Sequence, residues 1–508
     1  MDLETLLSYP WRIMAPEFTI LGLATFLSLL DLFMKEKVNR KIIAWIGLGG
    51  ILLAIFFVFQ NIGQPVQEIL YDTYRLDGFA NGFKLLFLGG AALVFIMAMD
   101  DYRKNEIEYQ GEYYYLMLTG ILGAMMLASS ADMITMFVGL ELLSISSYIL
   151  VAIKKKNLLS NESAFKYVVS GGIATAVMLY GMSFIYGLTG TTNLFEIANG
   201  LNFAFNQGYD FLIYFATILT FVGLAFKISA VPFHMWAPDV YQGAPTPITA
   251  FLSVVSKAAG FAMILRFFLV SFLPIYANTG LAPEVGDFFI YDVAFYIGLA
   301  AAASMIIGNT VALKQTNIKR LFAYSSIAQA GYILVPLTVV SGILLDVMLY
   351  YLLAYLFMNL GAFAIIQTII RKTGTEDIKG FAGLYHRSPL TALAMTVFLL
   401  SLAGLPITAG FFGKYYIFMG SIVAGNIWLP AVMILTSVIS YYYYFKIIRQ
   451  MYMRAGETEE PLRLAPSIGV VVVICLVGTI LLGIMPSGAI QFIDTNFNVN
   501  EIFQIVNR

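Results

Sequence analysis

Apolar runs of about 20 residues, the length that crosses a bilayer as a helix, recur along the whole chain between short polar connections. They predict about fourteen spans, near 15–34, 42–60, 78–99, 112–130, 133–153, 164–187, 211–236, 248–273, 289–309, 317–338, 343–370, 389–424, 428–450 and 466–486. The period-2 alternation of a membrane β-barrel is absent, so the spans are helices. The segment 389–424 is too long for one straight crossing, and Gly404-Leu405-Pro406 inside it predicts a broken helix. A second interruption lies in Lys227-Ile-Ser-Ala-Val-Pro232-Phe-His234-Met-Trp236-Ala-Pro-Asp239. A lysine accompanies each, Lys227 upstream of Pro232 and Lys414 downstream of Pro406. Such a pair points to inverted repeats with a site near the bilayer midplane. The fold expected is an all-α polytopic membrane protein.

Charge then orients the spans. Lys35, Lys37, Arg40, Lys41, Arg103, Lys104, Lys154, Lys155 and Lys156 fall in loops on one side, if the count is even. The same side receives Lys314, Lys319, Arg320, Arg371, Lys372, Lys379, Arg387, Lys446, Arg449, Arg454 and Arg463. The opposite connections are nearly bare, Arg75 being the main exception, and the loops at 188–210 and 274–288 hold no Lys or Arg. The positive-inside rule places the basic loops in the cytoplasm and both termini outside. The start, Met-Asp-Leu-Glu, lacks the basic n-region of a cleaved signal, so the first helix is expected to be retained.

Composition narrows the chemistry. The chain is 60% hydrophobic and 12% charged, with a net charge of −1 that offers no field for nucleic acid. One cysteine, Cys475, cannot close an internal disulfide or hold an Fe–S cluster. There is no Gly-rich phosphate loop or metal-ligand cluster, and only two His are present. No cofactor, metal or redox step is expected within this chain.

The charges inside the spans carry the functional signal. Glu141 lies about 12 Å deep in the fifth span and Lys257 about 13 Å from the inner end of the eighth. Lys227 sits far into the seventh, and Lys414 follows the break in the twelfth. Two readings stand: salt bridges that fix helix register, or sites that bind and release protons. Three lysines against one carboxylate disfavour simple pairing. Desolvation favours a neutral lysine and a nearby carboxylate a charged one, so moving the carboxylate switches proton affinity. His234 is either a relay or a satisfied core histidine, and Trp236 either an anchor or an interfacial ring. Arg266, Lys84 and Lys166, nearer span ends, are expected to snorkel to the interface. Tyr441–Tyr444 is expected to pack a helix interface or the lipid belt, and Asp239 to help cap the inner end of a broken helix or the loop. Ser144, Ser146, Ser147, Ser325, Ser326 and Gln329 are expected either to hold water or to join helices.

Three segments carry a family resemblance. His234-Met-Trp-Ala-Pro-Asp-Val-Tyr-Gln-Gly-Ala-Pro-Thr-Pro through Ser256-Lys257 resembles the N-type, rather than L- or M-type, subunits of proton-pumping NADH:quinone oxidoreductase, respiratory complex I. Asn317-Ile-Lys-Arg-Leu-Phe-Ala-Tyr-Ser-Ser-Ile-Ala-Gln-Ala-Gly331 resembles a segment shared with Mrp-type antiporters. Leu402-Ala-Gly-Leu-Pro-Ile-Thr-Ala-Gly-Phe-Phe-Gly-Lys414 is similar to the family's second broken helix. The resemblance implies fourteen helices with two inverted five-helix repeats, each containing a broken helix. It divides the chain into a three-helix segment (1–111), a first repeat forming an inner half-channel (112–273), a second forming an outer half-channel (289–450), and a C-terminal helix and tail (451–508). It implies proton-pathway roles for Glu141, Lys227, Lys257 and Lys414, with His234 a further relay candidate. It also implies membrane-subunit partners, with NADH, FMN, Fe–S clusters and quinone held in other subunits, and a bacterial plasma membrane as the setting. The rival readings are an Mrp-type cation/proton antiporter subunit and a purely structural subunit.

Overall fold

The computed structural model describes residues 3–35, 38–100, 107, 110–276, 288–339, 342–456 and 460–504. Lys37, Arg103, Lys104 and most of the loop 274–288 lie outside the described residues. The chain opens with α1 (Ala15–Phe33) and α2 (Lys41–Asn61), a two-stranded hairpin of β1 (Gln67–Ile69) and β2 (Tyr74–Leu76), and α3 (Gly78–Ala98). A first set of five spans follows: α4 (Gln110–Ser129), α5 (Met133–Val151), α6 (Leu158–Thr189), the pair α8 (Asp210–Lys227) and α9 (Trp236–Gly243), and α10 (Thr246–Leu269). Between α6 and α8 runs α7 (Leu194–Asn206). The second set is α11 (Phe289–Ala312), α12 (Ile318–Leu334), α13 (Gly342–Thr373), the pair α14 (Pro389–Ala403) and α15 (Ala409–Val423), and α16 (Trp428–Met453). The chain closes with α17 (Pro466–Ile484) and α18 (Pro486–Phe497).

Among the described residues twelve helices are long and apolar enough to cross a membrane. The more polar α4 and the broken pair α14/α15 complete the fourteen expected spans. Two helices were not expected. The segment 188–210 is not a plain loop, because Asn193 caps α7 by accepting from Phe195 N (2.9 Å) and Glu196 N (3.3 Å). The other is α18, in the C-terminal tail.

In each set of five the fourth span is broken. Pro232 lacks an N–H and disfavours helical geometry in the residue before it, and Ser229 turns at φ 60°. At the second break Gly404 has φ 85° and Ile407 φ 73°, a left-handed conformation that is costly for a β-branched residue.

The hydrophobic windows of α10 and α12 are 100% and 94% buried, against 33% for α6. The inner helices therefore line the middle of the bundle, while α6 turns Phe165, Ile173 and Tyr180 outward as a lipid-facing surface. The connections sort onto two ends. At one, Tyr74 donates to Ile13 O (3.2 Å), and Arg75 donates to Glu501 O (2.8 Å) and Gln504 O (2.5 Å). At the other, Asn317 donates to Glu376 (2.9 Å), Lys446 to Gln315 O (2.9 Å) and Arg371 to Asp100 O. The basic loops thus gather on one face, away from the N-terminal segment and the tail.

Candidate functional site

Lys227 is the last residue of α8, where the break leaves helix carbonyls without intrahelical donors. Its stem lies against α10: a methyl group at Gly260 would approach Lys227 Cγ to 3.1 Å, so only glycine leaves room. Its Nζ donates to Ser144 Oγ at 3.1 Å. Ser144 is one turn beyond Glu141 on α5, which puts the hydroxyl and the carboxylate on one face. Glu141 is within electrostatic reach of Lys227, yet its Oε1 is buried without a hydrogen-bond partner. The two charges share a pocket without closing into an ion pair at 4.0 Å or less.

One turn of α10 before Gly260, Lys257 follows a π-helical segment at Leu252–Ser256, and a second such segment lies at Leu265–Leu269. Lys257 Nζ donates to Ser326 O (2.7 Å) and Ser326 Oγ (2.5 Å) on α12, and Tyr241 OH meets the same hydroxyl at 3.3 Å. One turn along α12, Gln329 Nε2 donates to Leu402 O at 3.1 Å and its Oε1 accepts from Tyr351 OH. Leu402 O also accepts from Lys414 Nζ at 3.1 Å, and Ala403 O from the same amine at 3.2 Å. Lys414 therefore docks on the last carbonyls of α14, the negative end of that half-helix. Its ammonium stands 4.5 Å from the centroid of the Tyr332 ring. From Tyr332 hydroxyl and amide contacts continue to Asn309 (3.1 Å) and from there to Tyr443 (3.0 Å).

The three lysines expected at the centre are 4%, 2% and 7% exposed, and hydroxyls and carbonyls hold their amines. The serines and Gln329 make these contacts directly, so Ser144, Ser326 and Gln329 join neighbouring helices. Ser325 likewise meets Tyr444 OH at 2.5 Å. The tyrosine run splits as its helical spacing dictates, with Tyr443 and Tyr444 buried and Tyr442 exposed. His234 lies in the first break with Nδ1 buried and unpartnered. Trp236 is an internal anchor rather than an interfacial ring, stacked on Tyr167 at 4.4 Å with its Nε1 donating to Phe226 O (3.0 Å).

Three expectations fail. Arg266 does not snorkel: it is fully buried and grips Asp77 through both carboxylate oxygens (2.5 and 2.9 Å). Nor does Lys84, which pairs inside the bundle with Glu17 at 2.6 Å. Lys166 alone of the three is exposed. Asp239 caps nothing; it accepts from Lys166 (2.7 Å) and Arg320 (2.5 Å), tying α9 to α6 and α12. These pairs were missed because each joins residues far apart in sequence.

Two five-span sets with broken fourth helices, and buried lysines at the two breaks and between them, define an antiporter-like membrane translocase module. The family described as "NADH:quinone oxidoreductase/Mrp antiporter, TM" matches residues 130–440. NADH-quinone oxidoreductase subunit N of Brevibacillus brevis is 55% identical over 98% of this chain and 97% of its own length. The Bacillus anthracis subunit N is 50% identical over 99% and 98%. A chain of respiratory complex I from Thermus thermophilus superposes with a TM-score of 0.77 at 31% identity, covering 95% of this chain and all of that one. The chain belongs to the NADH-quinone oxidoreductase subunit N family. It is a bacterial membrane subunit of that proton-pumping oxidoreductase and partners its other membrane subunits. A chain of the Mrp complex from Dietzia superposes with a TM-score of 0.78 at 20% identity and 52% coverage of that chain, which shows a shared fold alone.

Proposed function

We propose that protons cross this subunit along the line of buried lysines. A proton reaches Lys227 from the basic face, passes by way of Lys257 to Lys414, and leaves at the opposite face. The observation that carries this reading is the shared Leu402 oxygen, which accepts from Lys414 and from Gln329, one turn from the serine that holds Lys257. In this reading residues 112–273 form the inner half-channel and 289–450 the outer one, flanked by 1–111 and 451–508. The basic loops face the cytoplasm of a bacterial cell and both termini face outward. His234, in the same break as Lys227, is a further relay in this reading.

Glu141 sets the proton affinity of Lys227 and receives the electrostatic signal from neighbouring subunits. Carrying one charge against 100 mV costs about 2.3 kcal/mol, which a carboxylate moving a few ångströms in a low-dielectric interior matches. NADH, FMN, Fe–S clusters and quinone belong to other subunits, since a single cysteine supplies no cluster ligand set here. In the assembled complex in vesicles, Glu141→Ala and Lys227→Ala should each lower coupled quinone reduction and proton uptake severalfold while assembly stays normal. Wild-type turnover and proton yield in both variants would overturn the pathway.

A further inference from the structure

At the basic end of the bundle, the seam between α3, α13 and α17 opens into a cavity of about 510 Å³. Arg371 and Lys372, in the last turn of α13, and Arg463, just before α17, stand at its mouth. Leu464, Ala465 and Ile468 form its apolar wall. Gln367 closes the floor by donating to Met97 O at 3.1 Å, which ties α13 to the end of α3. Among the described residues the cavity holds one carboxylate, Asp100, and that one is occupied: Lys41 Nζ is 3.1 Å away and the Ser467 hydroxyl donates to it. Arg371 is engaged with the Asp100 carbonyl. Among the described residues the side chains of Lys372 and Arg463 have neither a hydrogen-bond nor an ion-pair partner. Three positive charges against one negative leave the mouth cationic.

Depth selects the ligand class. The mouth lies where α3 and α13 end and α17 begins, at the basic end of three spans. Farther along, α3, α13 and α17 together with α2 and α18 line a second, apolar cavity of about 380 Å³, with Leu93, Phe357, Ile474 and Phe497 among its walls. A cationic rim over an apolar interhelical seam is complementary to an anion carrying hydrocarbon chains. Free phosphate has no use for Leu464, Ala465 and Ile468, and a zwitterionic headgroup brings no net charge to Lys372 and Arg463.

We propose that this seam binds one anionic phospholipid from the leaflet on the basic face. Its phosphodiester rests against Lys372 and Arg463, and an acyl chain follows the wall of α17. The site is independent of the proton line.

Native mass spectrometry of the purified complex, with dioleoyl phosphatidylglycerol or dioleoyl phosphatidylcholine supplied in the micelle, tests this. One phosphatidylglycerol should stay bound where phosphatidylcholine does not. The combined variant Lys372→Gln with Arg463→Gln should lower its retention about tenfold, whereas Lys156→Gln on another basic loop should leave it unchanged. The charge-keeping Arg463→Lys should retain the lipid, separating loss of charge from loss of fold. If the double variant fails to assemble, a photoactivatable phosphatidylglycerol on the wild-type complex should label residues 463–468. Equal retention of the two lipids, displacement by millimolar inorganic phosphate, labelling elsewhere, or a neighbouring subunit's acidic segment crosslinked at Arg463 would each overturn the proposal.

Discussion

Arg75 and Arg266 are as deeply buried as Lys257 and Lys414, but the company they keep differs. The two arginines close on carboxylates: Arg75 on Glu68 (2.5 Å) and Asp77 (2.9 Å), Arg266 on Asp77 (2.5 Å). Each guanidinium also lies over an aromatic ring, of Phe195 and Phe79 respectively. Asp77 is further committed to capping α3 through Ala80 N (2.8 Å). The two lysines have no carboxylate partner: their amines rest on hydroxyls and carbonyls, with the Tyr332 ring beside Lys414. A guanidinium never gives up its proton in a protein, so a matched arginine–carboxylate cluster can only hold structure. An amine on neutral dipoles leaves no orphaned counter-charge when it deprotonates. The molecule thus separates buried charges matched by counter-charges from buried charges held by neutral groups, and the separation is visible in the partners rather than in the burial.

The largest expected effect tests the structural side. Asp77→Asn leaves two buried guanidiniums short of negative charge and should destabilise the subunit by about 3–5 kcal/mol, read as a lowered thermal midpoint and lost assembly of the detergent-solubilised complex. Unchanged stability would collapse the contrast. Lys257→Ala should do the reverse, keeping the complex at normal abundance on native gels while proton uptake falls severalfold. Assembly loss there would instead favour a purely structural subunit. Gln329→Leu removes the hydrogen bonds to Leu402 O and from Tyr351 OH, so proton yield should drop less than in Lys257→Ala, with a stability cost of about 1 kcal/mol.

The smallest effect concerns Asp100, at the partly exposed basic end. Burial alone would raise its carboxyl, but the hydrogen bonds from Ser467 and Lys41 outweigh it and hold the group below its ordinary 3.8. A lowered value means the tie contributes in full above the ordinary range and is lost as pH falls through the lowered one. The thermal midpoint should therefore decline more steeply in wild type than in Asp100→Asn as pH falls from about 5 to about 3. Identical slopes would remove Asp100 from the ties that close this end.

Hydropathy made the spans legible because each must satisfy its own backbone in lipid, a constraint written locally. The breaks were legible for the same reason: Pro232, Gly404 and Pro406 act on adjacent residues. What stayed hidden depended on pairing across the fold. Lys84 and Arg266 looked like ordinary snorkelling residues because Glu17 and Asp77 approach them from other helices. The capped helix α7 escaped notice because a short amphipathic helix leaves no long apolar run. At the site the four charged residues stood out by their rarity, whereas the neutral groups between Lys257 and Lys414 did not. They are a serine, a glutamine and a main-chain oxygen, groups that acquire meaning only once α12 is laid against the end of α14.

The two π-helical segments of α10 have a mechanical consequence. Each widened turn accommodates one residue more than an α turn, and one residue of an α-helix subtends about 100° of azimuth. Lys257–Ile264 lies between two such turns, so neither flank alone dictates which way the segment faces. A widened turn tightening on one side as the other loosens would swivel Lys257 about the helix axis while both ends of α10 stayed anchored. Lys257 is mounted on a length of helix bounded by a widened turn at each end.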